Sequence, residues 1–95
     1  MGGAVSYAQV PGQPVPPTLR RGGQDYDWRA HGWVRRGATA YARSDPDQLI
    51  ARHVSAGVPY YEAWHGQTCI GRYPRADQAV WAADYVRAAA REEEK

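Results

Sequence analysis

The side chains in this sequence best suited to a binding function are arginines interleaved with aromatic residues. Guanidinium groups neutralise phosphates, and aromatic rings are platforms on which nucleobases stack, at about 1–3 kcal/mol per base. Seven such residues are predicted to share one face of a β-sheet: Arg29, His31, Trp33, Tyr41, Arg43, Tyr61 and Arg72. Four more lie on predicted turns or on an N-terminal arm: Arg20, Arg21, Arg35 and Arg36. The pattern predicts a nucleic-acid-binding surface, with DNA favoured.

Catalytic and metal-binding patterns are weaker. His65 and Cys69 are near one another, but structural zinc needs four ligands at paired spacings, and the chain has a single cysteine. Cys69 is predicted to point into the core, where an apolar environment raises the pKa of a thiol and makes it inert. Glu62, the one acid inside a predicted strand, has no partner carboxylate for acid–base catalysis. We expect no enzymatic activity, no metal and no cofactor.

The elements that would position these side chains are clearest between Val58 and Arg91. Two aromatic and β-branched runs, 60–64 and 68–73, flank a turn that contains Gly66, which predicts a β-hairpin. A helix is predicted over about 75–91. Its apolar residues recur at helical spacing and form a stripe of small side chains: Ala76, Ala79, Val80, Ala83, Val86 and Ala90.

This alanine stripe decides which face of the hairpin is predicted to be covered. Alanine buries little area, so we expect bulky partners to complete the layer. Side chains alternate along a strand, and the bulkier face carries Tyr60, Trp64 and Tyr73. If the helix covers that face, the face with Tyr61 and Arg72 stays open.

A first hairpin and a first helix are predicted upstream. Strands over 28–34 and 38–43 flank a three-residue loop, 35–37, that ends in glycine. A helix is predicted over about 45–57, because Asp45 is a good N-cap, Pro46 suits the first helical position and Gln48 completes a capping box. Gly57 would end this helix.

Two ββα halves, about 25–57 and 58–91, therefore predict a two-layer α+β fold with the order ββαββα. Its four-stranded antiparallel sheet would carry both helices on one face. Residues 25–95 would form this single domain. Residues 1–24, rich in proline and glycine, predict a flexible, disordered basic arm.

Charge and composition indicate the kind of partner and the compartment. The net charge is only +2, but the part up to Arg43 holds six arginines and two acids, which favours an anionic partner there. The single cysteine fits a reducing compartment, and no apolar run is as long as a membrane span. We expect a cytoplasmic protein that does not bind membranes.

An alternative function rests on Trp81 and Tyr85, which lie one turn apart and nearly opposite the alanine stripe. Aromatic residues are enriched at interface hot spots, so this pair or the sheet face could bind a host protein or form a homodimer. The arginine- and alanine-rich composition is typical of G+C-rich genomes and fits a phage-encoded modulator. The strand–strand–helix order of 58–91 resembles the small sheet-reading DNA-binding modules of phage integrase arms, a resemblance that implies DNA binding.

Overall fold

Five antiparallel strands and one C-terminal helix form an α+β fold in the computed structural model, which describes residues 7–17, 28–44 and 47–93. The order of the strands in the sheet is their order in the chain, so every connection joins neighbours. A short 3-10 helix, Arg29–His31, precedes the sheet. The elements are β1 Val34–Arg36, β2 Ala40–Arg43, β3 Gln48–Ser55, β4 Val58–His65, β5 Thr68–Tyr73 and α1 Ala76–Glu93.

The predicted first helix is wrong, because its residues form strand β3 at the centre of the sheet. Ala56 and Gly57 have φ angles of 51° and 81°, and two consecutive positive φ angles are typical of the two-residue turn that closes a β-hairpin. A left-handed glycine also ends many helices. Gly57 therefore has the left-handed conformation expected of a glycine that ends a helix, but it lies in a hairpin turn. Asp45 and Pro46 lie outside the described residues.

The predicted ββαββα order is consequently wrong as well, although the α+β class is confirmed. The described part of the chain has five strands and one helix instead of four strands and two helices. The described residues form no internal ββα repeat, because those of the first half contribute three strands. Part of the predicted flexible arm, residues 7–17, packs against β5, with Gln13 bound to the backbone of Arg72.

The first hairpin forms two residues later than predicted. Its three-residue loop is 37–39, and the segment before Val34 contains the 3-10 helix instead of a long strand. A shift of two residues preserves the alternation of side chains. Val34 still shares a face with Ala42, and Arg35 shares the other face with Tyr41.

The second hairpin and its helix are confirmed, with α1 starting at Ala76 and ending at Glu93. The two-residue turn is Gly66–Gln67, because His65 pairs with Thr68. Pairing is irregular near Ala63, which pairs with Gly71, while Trp64 pairs with Cys69. Ile70 is the extra residue of a β-bulge, which moves Gly71 and Tyr73 onto the face of Ala63.

On β4, helix α1 covers the face opposite to the one predicted, with Ala63 instead of Trp64 beneath it, whereas on β5 the bulge leaves Tyr73 in the core, as predicted. The helix buries Ala79, Val80, Ala82 and Ala83 in one core with residues of the sheet and of the loop before it. Ala63 is completely buried there in one core with Ala79, Ala82 and Ala83 of α1, so small residues face small residues and the helix packs closely. The larger members of the core are Trp33, Ile50, Ile70 and Tyr73. Within the described residues, no helix is both long and apolar enough to cross a membrane.

Candidate functional site

The predicted nucleic-acid-binding face does not exist as one surface, because α1 lies on the side of the sheet that carries Tyr41, Arg43 and Tyr61. Trp33 is only 2% exposed and belongs to the core. Tyr41 and Tyr61 are half-buried and pack against that core. The rings expected to be open to solvent are therefore turned towards the helix, and this prediction is wrong.

Arg43 is a buried structural residue, only 6% exposed. Its Nε donates to Gln48 Oε1 at 2.9 Å, and a terminal nitrogen donates to the carbonyl of His31 at 3.2 Å. The other terminal nitrogen binds Asp84 of α1 at 2.5 Å, and the guanidinium lies 4.2 Å from the centre of the Trp33 ring. These contacts join β2, β3 and α1.

The other residues of the predicted binding surface lie in separate parts of the structure. Arg29, His31, Arg35 and Arg36 are exposed near the β1 edge. Arg72 projects from the face opposite α1, where its Nε donates to Glu62 at 2.8 Å. Arg20 and Arg21 lie outside the described residues.

A cleft of about 430 Å³ lies on the helix side of the sheet, beside the start of α1. Three aromatic residues and two arginines define this aromatic cleft: Trp28, Tyr41, Tyr61, Arg52 and Arg75. Trp28 stacks on Tyr41, with ring centres 4.0 Å apart and an angle of 7° between the planes. The cleft thus combines flat apolar walls with two cationic groups.

The order of the strands assembles the aromatic cleft. Arg52 of β3 pairs directly with Tyr61 of β4, and Tyr41 of β2 pairs with Ile50 of β3, so these side chains form adjacent rows on one face. Helix α1 packs chiefly on β4 and β5, which leaves the β2–β3 side open near Ala76.

The electrostatics of the aromatic cleft favour an anion. Arg52 is exposed, and Arg75 has 38% of its side chain exposed while it binds Asp77 at 2.6 Å. The first turn of α1 adds the partial positive charge of a helix N-terminus, which Asp77 of the same turn partly offsets. A ligand with an aromatic group and a negative charge matches this surface.

Sequence reasoning identified Tyr41 and Tyr61 but missed the other three residues of the aromatic cleft. Trp28 falls in the first predicted strand, Arg52 in the predicted first helix and Arg75 at the start of the predicted second helix, and the predicted binding face included none of them. Had residues 48–55 been interpreted as a strand that alternates, Arg52 would have fallen beside Tyr61. The missed signal is the hairpin turn at Ala56–Gly57.

The opposite face of the sheet carries a charged cluster around Glu62, which is 9% exposed. Glu62 accepts hydrogen bonds from Trp64 Nε1 at 3.2 Å and Arg72 Nε at 2.8 Å, and it lies 2.9 Å from His53 Nε2. Burial raises the pKa of Glu62, but the hydrogen bonds from Arg72 and Trp64 and the nearby His53 outweigh burial, so the pKa is lowered.

This lowered pKa predicts that Glu62 stabilises the fold only while it is ionised. Its contribution should be complete above the ordinary pKa of 4.5 and should disappear as the pH falls through the lower folded-state pKa. We expect the difference in unfolding free energy between the native chain and Glu62→Gln to be largest at pH 6 and to shrink steadily in acid. Urea titrations across this range measure it, with exposed Glu92→Gln as the control. A difference that stays constant at every pH would contradict the prediction.

The residues of the alternative site have different environments. The rings of Trp81 and Tyr85 stack with centres 5.2 Å apart, but Trp81 packs against the core while Tyr85 is 55% exposed. Cys69 does not point into the core as predicted: it lies beside Trp64 on the face opposite α1, and partial burial raises the pKa of its thiol. Across 7–17, 28–44 and 47–93, no three His, Cys, Asp or Glu side chains gather as metal ligands would.

Comparisons with known proteins assign the chain to no family. No family model, curated protein or solved structure matches it.

Proposed function

We propose that this protein binds single-stranded nucleic acid by accepting an unpaired base into the aromatic cleft. The observation that supports the proposal is the assembly of three aromatic rings, two arginines and a helix N-terminus around one opening. The nucleic-acid hypothesis is thereby kept, while the open sheet face is replaced by a cleft on the helix side as the place of binding.

The chemistry of a nucleotide matches both parts of the cleft. Its base would stack on an aromatic ring, and its phosphate would meet Arg52, Arg75 and the first turn of α1. The volume of about 430 Å³ lies within the usual range for small-ligand sites. Bases inside a duplex are already stacked and paired, so only an unpaired base can enter without a large cost.

Arginines outside the cleft would extend the contact along the strand. Arg29 follows Trp28 directly, and Arg35 and Arg36 are exposed on β1, next to β2. Positive groups along such a path neutralise successive phosphates and release counterions. Affinity should therefore fall with salt.

The arginines of the cleft provide the first test. We expect Arg52→Gln and Arg75→Gln each to weaken binding of a labelled single-stranded oligonucleotide and to flatten its dependence on salt, by about 0.7 in the log–log slope for each phosphate contact removed. Fluorescence anisotropy at several salt concentrations measures both quantities. Arg91→Gln removes the same charge from the far end of α1 and should leave affinity nearly unchanged. If all three variants lose the same affinity, the oligonucleotide is held by the overall positive charge of the protein and not by the cleft.

A second arm of the same experiment tests stacking. Tyr61→Leu retains an apolar side chain for packing but removes the ring, and the loss of about 1–3 kcal/mol per stacked base corresponds to roughly 5- to 150-fold in affinity. Tyr85→Leu is the matched control, because Tyr85 is exposed on α1. A native chain that binds duplex as tightly as single strands, or Tyr61→Leu with native affinity, would contradict the proposal.

A further inference from the structure

The outer edge of β5 is occupied by residues 7–17, which we call the edge segment. β5 is the last strand of the sheet, and an edge strand presents unpaired backbone groups. The amide of Gln13 satisfies two of them: its Oε1 accepts from the Arg72 N–H at 2.9 Å, and its Nε2 donates to the Arg72 carbonyl at 3.0 Å. One side-chain amide thus imitates the peptide group of a neighbouring strand.

Further contacts attach the edge segment on both sides of Gln13. Tyr73 donates its hydroxyl to the carbonyl of Pro14 at 2.6 Å, and burial raises the pKa of Tyr73 to about 12, which keeps this donor protonated. Arg72 donates to the carbonyl of Ala8 at 2.9 Å. Tyr7 is 7% exposed and stacks on Tyr60, with ring centres 4.6 Å apart.

Gln13 can lie this close to β5 only because residue 71 is a glycine. A Cβ atom at position 71 would lie 2.8 Å from Gln13 Oε1 and 2.9 Å from Gln13 Cβ, closer than real contacts allow. The same Cβ would also lie 2.8 Å from the hydroxyl oxygen of Tyr73, so both the edge segment and this hydroxyl, which binds Pro14, would have to move to admit it. Hydrogen bonds within the edge segment also hold Gln13 in its bound conformation. Its Oε1 accepts from the Val10 N–H at 3.0 Å, and its own backbone N–H donates to the Val10 carbonyl at 3.1 Å.

We propose that this edge is an exchangeable docking site whose partner is the edge segment of a second copy of the chain. Every contact with β5 and Tyr60 is noncovalent, and an identical segment from another molecule can make the same contacts. Ten residues, 18–27, join the segment to Trp28 and can reach about 33–36 Å when extended. Exchange of an identical element between copies is a low-cost route to a dimer.

The segment of the same molecule competes with the incoming one. A tethered segment acts at an effective concentration in the millimolar range, so the native chain should exchange only at high concentration. Weakening the attachment in cis should open the site to a free peptide. The site and the aromatic cleft meet at Pro74 but depend on different side chains, Gln13 here and Arg52 and Tyr61 there. Failure here therefore leaves the nucleic-acid proposal standing, and the reverse also holds.

A labelled peptide of residues 7–17 tests the proposal against full-length chains. We expect Gln13→Ala to bind the peptide at least about tenfold more tightly than the native chain, because two hydrogen bonds of the competing segment are lost. Gln9→Ala removes an exposed glutamine from the same segment and should behave like the native chain. A peptide that carries Gln13→Ala should bind to neither.

Two further measurements locate the bound peptide. Amide exchange at Arg72 should accelerate in Gln13→Ala and slow again when the native peptide is added. The double variant Gln13→Ala with Gly71→Ala should lose peptide binding while its helical circular dichroism is retained. The proposal is overturned if the peptide fails to bind Gln13→Ala, if binding survives Gly71→Ala, or if Arg72 stays unprotected in the complex.

Discussion

Arg43→Met is expected to lower the free energy of unfolding by about 2–4 kcal/mol, measured by urea denaturation. The substitution retains an apolar stem but removes the guanidinium. Gln48, 3% exposed, would then lose a buried donor, and the carbonyl of His31 would lose another. Asp84 would lose its partner on β2 as well, but at little cost, because its side chain is 49% exposed to solvent. A buried polar group without a partner costs more than the pair contributed.

Arg52→Met is the matched control, because Arg52 is exposed on the adjacent strand. Its effect on stability should stay within about 0.5 kcal/mol. The two variants also separate stability from binding: Arg52→Met should lose affinity for single strands without loss of stability. If Arg43→Met folds as stably as the native chain and only binds single strands more weakly, Arg43 is a ligand-binding residue and its hydrogen bonds do not stabilise the fold.

Trp33→Ala is expected to cost about 3–5 kcal/mol of unfolding free energy. Trp33 is 2% exposed and packs edge-on against Trp28, with ring centres 5.7 Å apart. Its removal leaves a cavity under the first hairpin that the short strand β1 cannot fill. For a domain of this size such a loss should lower the melting temperature by more than about 12 °C. Thermal unfolding followed by circular dichroism measures it.

Tyr85→Ala is the control for Trp33→Ala, because it truncates an aromatic residue that is 55% exposed. It should cost less than about 1 kcal/mol. The double variant Arg43→Met with Trp33→Ala should cost clearly less than the sum of the two single variants, because the guanidinium and the ring are in contact at 4.2 Å. Strict additivity would show that the two residues act independently.

The local patterns of the chain were sufficient to predict the second hairpin and the helix after it. Aromatic and β-branched runs around Gly66 mark the strands, and the spacing of small residues marks α1. The alternation along β2 and β4 was also predicted correctly, because it depends only on the geometry of a strand. These features require information from a few neighbouring residues.

The secondary structure of residues 48–55 could not be predicted from the same kind of local pattern. A capping box, a proline and a glycine at the expected end predict a helix. A glycine is equally common in a two-residue hairpin turn. Pairing with strands on both sides makes β3 the centre of the sheet. Those partners come from distant parts of the chain, so tertiary pairing overrode the local preference.

Residue pattern alone therefore established the α+β class, the second hairpin, the helix and the presence of aromatic and arginine residues in alternation. Only the tertiary structure decided which face of the sheet the helix covers, and with it which rings are core and which line a cleft. The physical reason is that both faces carry apolar side chains, so the choice depends on close packing of Ala63 in one core with the small residues of α1 and on the pairing of Arg43 with Asp84. Neither contact can be deduced from spacing along the chain.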